Sequence, residues 1–134
     1  MTRTNYSTSA PWEPIVGYSR AVKIDDRVVV TGTTATDAEG NIVGVGDPIT
    51  QTRQTLENIK NVLARAGAKL SDVIRTRMYV TNIDDWEAIG RVHGQYFGDV
   101  MPATTMVEVS RLIHPDMLVE IEAEAVISST NDER

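Results

Sequence analysis

The sequence predicts an α+β domain, a mixed six-stranded sheet with two helices on one face. Two segments carry apolar residues at spacings of three and four between helix start and stop signals. The remaining ordered segments are short, rich in β-branched residues and often alternating. With two helices against about six strands, the helices can cover only one face of the sheet.

Taken in order, residues 1 to about 14 are polar, contain Pro11 and Pro14, and read as an N-terminal arm outside the core. Ala21–Ile24 and Val28–Val30 read as two strands joined by a turn at Asp25-Asp26. Turn formers from Asp37 to Gly46 surround a short candidate strand at Ile42-Val43. The first helix follows, with Asp47 as cap, Pro48 at its first position and Gly67 as its stop. Its stripe is Ile49, Thr52, Leu56, Ile59, Leu63 and Ala66, with Arg53 and Glu57 placed to pair outside. Val73–Val80 alternates as a strand. Asp84 or Asp85 is expected to cap the second helix, whose inner face is Trp86, Ile89, Val92, His93, Tyr96 and Phe97, and Gly98 ends it. Met106–Val109 and Leu118–Ile127 are the last strands. In the latter, Val119, Ile121, Ala123, Ala125 and Ile127 alternate with Glu120, Glu122 and Glu124. Ser128–Arg134 reads as a polar tail. No linker or repeat divides the chain, so residues 1–134 form one domain.

Several strands are apolar on both faces, and no third helix is predicted to cover the second one. A homo-oligomer interface is the expected cover.

Composition excludes whole classes of function. The 134 residues contain no cysteine, which removes disulfides, thiolate catalysis and cysteine zinc sites. Thirteen Lys+Arg against 19 Asp+Glu leave a net charge of −6, a poor footing for nucleic-acid phosphates. No apolar run approaches a membrane span, and residues 1–7 lack a signal-peptide core, so a cytoplasmic location is expected.

Few motifs carry chemistry. Gly44-Val45-Gly46 lacks a third glycine and a strong preceding strand, so it reads as a turn rather than a dinucleotide loop. Gly17-Tyr18-Ser19-Arg20-Ala21 is not a nucleophile elbow, because a strand follows it where a helix should; Tyr18 and Ser19 remain candidates to line a pocket. His93 lies on an apolar helix face and His114 in a loop, so no metal site is expected. Glu120, Glu122 and Glu124 place carboxylates roughly 7 Å apart along one strand face. That face is either solvated or lines a cleft, where crowding and desolvation suit a general base. Arg75 and Arg77 can neutralise these carboxylates across the sheet.

Five segments in register resemble one known family: Gly17–Val22, Val29–Gly32, Gln51–Ile59, Met101–Ala103 and Val119–Ala123. They are similar to the Rid (YjgF) family of reactive intermediate/imine deaminases, also known as L-PSP endoribonuclease-like proteins. The resemblance spans about residues 14 to 127. It implies a chorismate-mutase-like fold assembled as a trimeric barrel, clefts between subunits, no cofactor, and hydrolysis of small enamines or imines. Residue by residue, Tyr18 matches a pocket tyrosine, Gly32 the glycine after the second strand, and Glu120 the glutamate that positions the attacking water. Thr104 stands where the active deaminases carry the arginine that grips the substrate carboxylate, and Gly90 where they carry asparagine. Arg20 stands in place of a glutamine, and His93 in place of an aromatic residue.

The resemblance therefore implies Glu120 as the catalytic group, with Tyr18, Gly32, Gly90 and Thr104, together with Ser19, as substrate-binding candidates. A small-molecule metabolite other than the usual 2-imino acids is the expected substrate, unless Arg20, Arg75 or Arg77 replaces the lost arginine. The alternative is a non-catalytic binder or sensor using the same cleft.

Overall fold

The computed structural model describes residues 1–8 and 10–128. Its strands are β1 (Arg3–Tyr6), β2 (Ala21–Ile24), β3 (Arg27–Thr33), β4 (Val73–Val80), β5 (Ala103–Glu108) and β6 (Val119–Val126). They form one mixed sheet in the order β1-β2-β3-β6-β4-β5, parallel only between β4 and β5. The helices are α1 (Trp12–Val16), α2 (Pro48–Arg65) and α3 (Trp86–Phe97). The long pair, α2 and α3, packs on one face. There Leu56, Ile59, Leu63, Ile89 and Phe97 meet Val28, Val30, Met78, Val80, Ile121 and Ala123, all fully buried. Burying a side chain of this size stabilises the fold by roughly 1.5–3 kcal/mol.

The long helix begins where its sequence says. Asp47 Oδ1 accepts from the backbone N–H groups of Ile49 and Thr50 at 3.1 and 3.2 Å, satisfying two of the donors a helix start leaves open. After Ala66, Gly67 at φ +83° reverses the chain in a conformation other residues avoid. Ile49, in the first turn, is 42% exposed rather than part of the buried stripe. Arg53 and Glu57 do not pair with each other. Both are drawn across to α3, where Arg53 donates to Gln95 and the Tyr96 hydroxyl donates to Glu57 at 2.6 Å.

Other expectations are corrected. The predicted arm is β1 and α1, because β1 finds an antiparallel partner in β2 (Arg3 opposite Ile24, Tyr6 opposite Ala21). This strand, not Ile42-Val43, completes the six; the latter contributes only a bridge from Ile42 to Thr36. Asp85 holds the N-cap position of α3, as expected, but its side chain makes no capping bond; the side-chain cap is that of Asn82, which accepts from the Asp84 N–H at the start of the 3-10 turn just before the helix. Trp86 is 58% exposed. In addition, β5 begins at Ala103, where it can pair in parallel with Arg75 of β4. The predicted tail beyond Ser128 lies outside the described residues.

Glu13 explains why the N-terminal segment is ordered. Its buried carboxylate accepts from the Ser7 hydroxyl at 2.8 Å, the Thr8 hydroxyl and N–H, and the Ala10 N–H. Burial alone would raise its pKa, but these bonds outweigh burial and hold it below the usual 4.5. A depressed folded-state pKa contributes stability that is present above 4.5 and lost as pH falls through the folded value. Glu13→Gln, which turns one acceptor oxygen into a donor and removes the charge, is expected to cost about 1.5–3 kcal/mol near neutrality, the range for hydrogen bonds to a charged group. Thermal melts of both proteins down to about pH 3 should show that difference shrinking.

Candidate functional site

The helix-free face of the sheet carries the three glutamates of β6, and their environments differ. Glu124 pairs with Arg27 at 2.7 Å and Arg77 at 3.6 Å. Glu122 accepts from the Tyr79 hydroxyl at 2.5 Å and lies 3.9 Å from Arg77. Arg75 takes part in none of these pairs. Glu120, nearest the start of the strand, has neither kind of partner among the described residues and turns toward β3.

What it meets there is a bulge. Val30 is opposite Ala123 and Thr33 opposite Ile121, so Thr31 and Gly32 together oppose the single residue Glu122. The missing side chain of Gly32 makes room for the Glu120 carboxylate: a Cβ built on Gly32 would lie 2.2 Å from Glu120 Oε2. The Gly32 carbonyl accepts from Arg20 Nη2 at 2.6 Å, and the Arg20 guanidinium stands 5.8 Å from the centre of the Tyr18 ring. Glu120, Gly32, Arg20 and Tyr18 thus line one open groove of about 1100 Å³. Trp12, the loop after β3, and one side of α2 complete its walls.

The electrostatics follow from this placement. Burial, with Glu122 adding to it, raises the Glu120 pKa above 4.5, and Arg20 opposes the rise. Burial also raises the Tyr18 hydroxyl, again against Arg20. Such a carboxyl is poised to exchange a proton with a bound molecule at higher pH than a free one.

The other predicted site residues stand elsewhere in a single chain. Thr104 lies on the helix side of β5, its hydroxyl 2.8 Å from that of Thr76 and donating to the Pro102 carbonyl. Thr76 in turn meets His93 Nε2 at 2.9 Å, and burial lowers the His93 pKa, leaving the ring neutral near pH 7. With Thr104 donating to Pro102, the chain of bonds runs from His93 N–H to Thr76 to Thr104. Gly90 is on α3 with open space where a side chain would stand. Ser19 accepts from the Asn5 side chain of β1 at 2.8 Å. One copy therefore brings Tyr18, Gly32 and Glu120 together, and holds Gly90 and Thr104 apart from them. Among the described residues, no group of three His, Cys, Asp or Glu could hold a metal ion.

The family model described as endoribonuclease L-PSP matches residues 7–127. The chain belongs to this family. A YjgF/YER057c/UK114 family structure from Mycobacterium tuberculosis is 48% identical, with a TM-score of 0.85 over 94% of this chain and all of that one. The YjgF gene product of E. coli is 29% identical, with a TM-score of 0.80 over 93% of this chain and 98% of its own. Among sequence relatives, a protein named 3-aminoacrylate deaminase RutC from Acinetobacter baylyi is 39% identical over 81% of this chain and 85% of its own. A RutC family protein of Pyrococcus horikoshii is 40% identical over 92% of this chain and 96% of its own.

In this YjgF-family chain the groove also uses residues not singled out as site candidates, two of which, Gln54 and Asn58, lie inside the Gln51–Ile59 motif. Gln54, Asn58, Asn61 and Arg65 of α2 line it. Their spacing of four, three and four is itself a helical stripe, polar and opposite in character to the apolar one. Asn58 donates to the carbonyls of Thr34 and Thr36, fixing the loop that forms the facing wall. No helix among the described residues is long and apolar enough to cross a membrane.

Proposed function

We propose that this protein hydrolyses a small enamine or imine, with Glu120 as the group that handles the proton. The observation that carries the reading is the isolated Glu120 carboxylate, seated against Gly32 in a groove lined by Tyr18 and Arg20. In the ionised form it takes a proton from water as the water oxygen attacks the C=N carbon. It returns that proton to nitrogen, giving a carbinolamine (an enamine having first tautomerised to its imine), and then carries the carbinol hydroxyl's proton to nitrogen as the C–N bond breaks, so that ammonia leaves and a carbonyl remains. The name of the Acinetobacter relative, a 3-aminoacrylate deaminase, supports this reaction class. Thr104 is uncharged where a carboxylate-gripping arginine would stand, so the substrate differs from the usual 2-imino acids.

We further propose a homotrimer. Val29, Ile74 and Val107 are 44, 46 and 43% exposed, and a second copy would cover such apolar surface. Assembly would also let Gly90 and Thr104 of one copy approach the Glu120 groove of another. Ser19 then serves to hold β1 beside the groove, through Asn5.

The test is ammonia release from freshly generated 2-iminopropanoate and 3-aminoacrylate, comparing wild type with Glu120→Gln and Thr104→Arg. Turnover should need ionised Glu120, so it should fall as pH drops through a midpoint above 4.5, the ordinary value. Turnover untouched by Glu120→Gln would overturn the assignment. Binding without turnover in every protein would make it a small-molecule binder.

A further inference from the structure

The groove contains a half-buried positive charge that no carboxylate of the described residues pairs with. Arg20 precedes β2 and is held by its backbone, its N–H donating to Tyr6 and its carbonyl accepting from Thr31. Of its guanidinium, Nη2 is spent on the Gly32 carbonyl at 2.6 Å, and Nε is buried with no hydrogen-bond partner. No carboxylate lies within ion-pair distance of it among the described residues. Glu13 and Glu120 act on it only through space, and Glu13 is already committed to Ser7, Thr8 and Ala10.

Buried charges are ordinarily paired, because removing one from water costs several kcal/mol. Here, on the half-buried Arg20, the protein groups that face the guanidinium are a carbonyl and the face of Tyr18. A guanidinium left so, on the wall of an open groove, suits a planar anion that accepts two hydrogen bonds at once. The alternatives on this face are already engaged or set apart. Arg77 faces Glu122 and Glu124, and neither it nor Arg75 lines the groove.

We propose that Arg20 grips the carboxylate of the ligand, and that this groove takes a short organic anion. Its carboxylate lies at Arg20 beside Tyr18, and the rest of the molecule extends toward Glu120. This rests on the reading of the Glu120 groove as the site. It deepens that reading by making the substrate a carboxylate held from β2, rather than from the β5 position that Thr104 occupies.

Binding separates the inference from the turnover question. Propanoate and its neutral counterpart propanamide, neither of which can be hydrolysed as an imine, are titrated by NMR into wild type, Arg20→Gln, Arg20→Lys and Arg65→Gln. Wild type should bind propanoate at least about tenfold more tightly than propanamide, in keeping with a charged hydrogen bond. Arg20→Gln should erase that preference and Arg20→Lys should retain part of it. If the loss of the Gly32 bond unfolds Arg20→Gln, the wild-type preference and the Arg20→Lys intermediate still decide. No preference in wild type, a preference that survives Arg20→Gln, or one lost only in Arg65→Gln would overturn the proposal. An Arg20-dependent preference without turnover of any imine would leave this inference standing and remove the hydrolase. Turnover dependent on Glu120 with KM unchanged in Arg20→Gln would do the reverse.

Discussion

Gly32→Ala is expected to silence the reaction as thoroughly as Glu120→Gln does, while leaving the protein folded. The added methyl would lie 2.2 Å from Glu120 Oε2, 2.9 Å from Cδ and 3.3 Å from Cγ, so the two groups cannot both stay. Glu120 yields, because its end is the flexible member of the pair and Gly32 sits in a bulge bonded to Arg20. Its carboxylate leaves the place where burial raises its pKa and Arg20 opposes that rise. A general base supplies on the order of 10²–10⁴ in rate, and a displacement of about 1 Å alone can cost 10². Steady-state kinetics should therefore show kcat down by about 10² or more in Gly32→Ala. The stability change should stay within about 1 kcal/mol, since no core contact is lost. If Gly32→Ala retains full activity, the glutamate does not act from the seat described here.

The contrast between Gly32 and Glu120 shows what a sequence can and cannot display. The alternation of β6 was legible because its period of two is a local property, and its buried face is as predicted. The cap at Asp47 and the stop at Gly67 are likewise local chemistry. The burial of Glu120 depends on a bulge in β3, at Thr31 and Gly32, far earlier in the chain, and no periodicity reports such an encounter. The six-stranded order failed to name β1, because its partner strand makes Arg3–Tyr6 ordered, not its own polar composition. Trp86 was misplaced because it is the very first residue of α3, and only the later residues Ile89, Val92 and Phe97 of that face are buried. As for the candidate groove, Tyr18, Gly32 and Glu120, which line it, were readable through motif resemblance. Arg20 was readable only as a substitution. Its lack of a carboxylate partner is a fact about three-dimensional neighbours.

Gln51→Leu is expected to be among the most damaging single changes to stability, although it replaces a polar side chain with an apolar one in a fully buried place. The Gln51 amide is fully used. Nε2 donates to the Gly44 carbonyl at 3.1 Å and the Asp116 carbonyl at 2.8 Å, and Oε1 accepts from the Leu118 N–H at 2.9 Å. One side chain thus ties the loop before α2 to the segment that feeds β6. Leucine fills the volume but leaves the backbone groups of Gly44, Asp116 and Leu118 without this partner, each costing about 1–3 kcal/mol where water does not replace it. Some relaxation will recover part of this, so a net loss of about 3–5 kcal/mol is expected, against a total of about 5–15 kcal/mol for a domain. Gln51→Ala should lose still more, because it adds a cavity to the same broken bonds. Urea unfolding of the three proteins measures both terms: wild type against leucine isolates the hydrogen bonds, and leucine against alanine isolates the cavity. The two terms also bear differently on the site, because Leu118 lies two residues before Glu120 and Met117 lines the groove. Loss of the Leu118 bond in folded Gln51→Leu should loosen the start of β6, visible as faster amide exchange at Leu118 than at Ala123. If leucine costs less than about 1 kcal/mol, the segment before β6 is held by its packing alone and Glu120 owes nothing to Gln51.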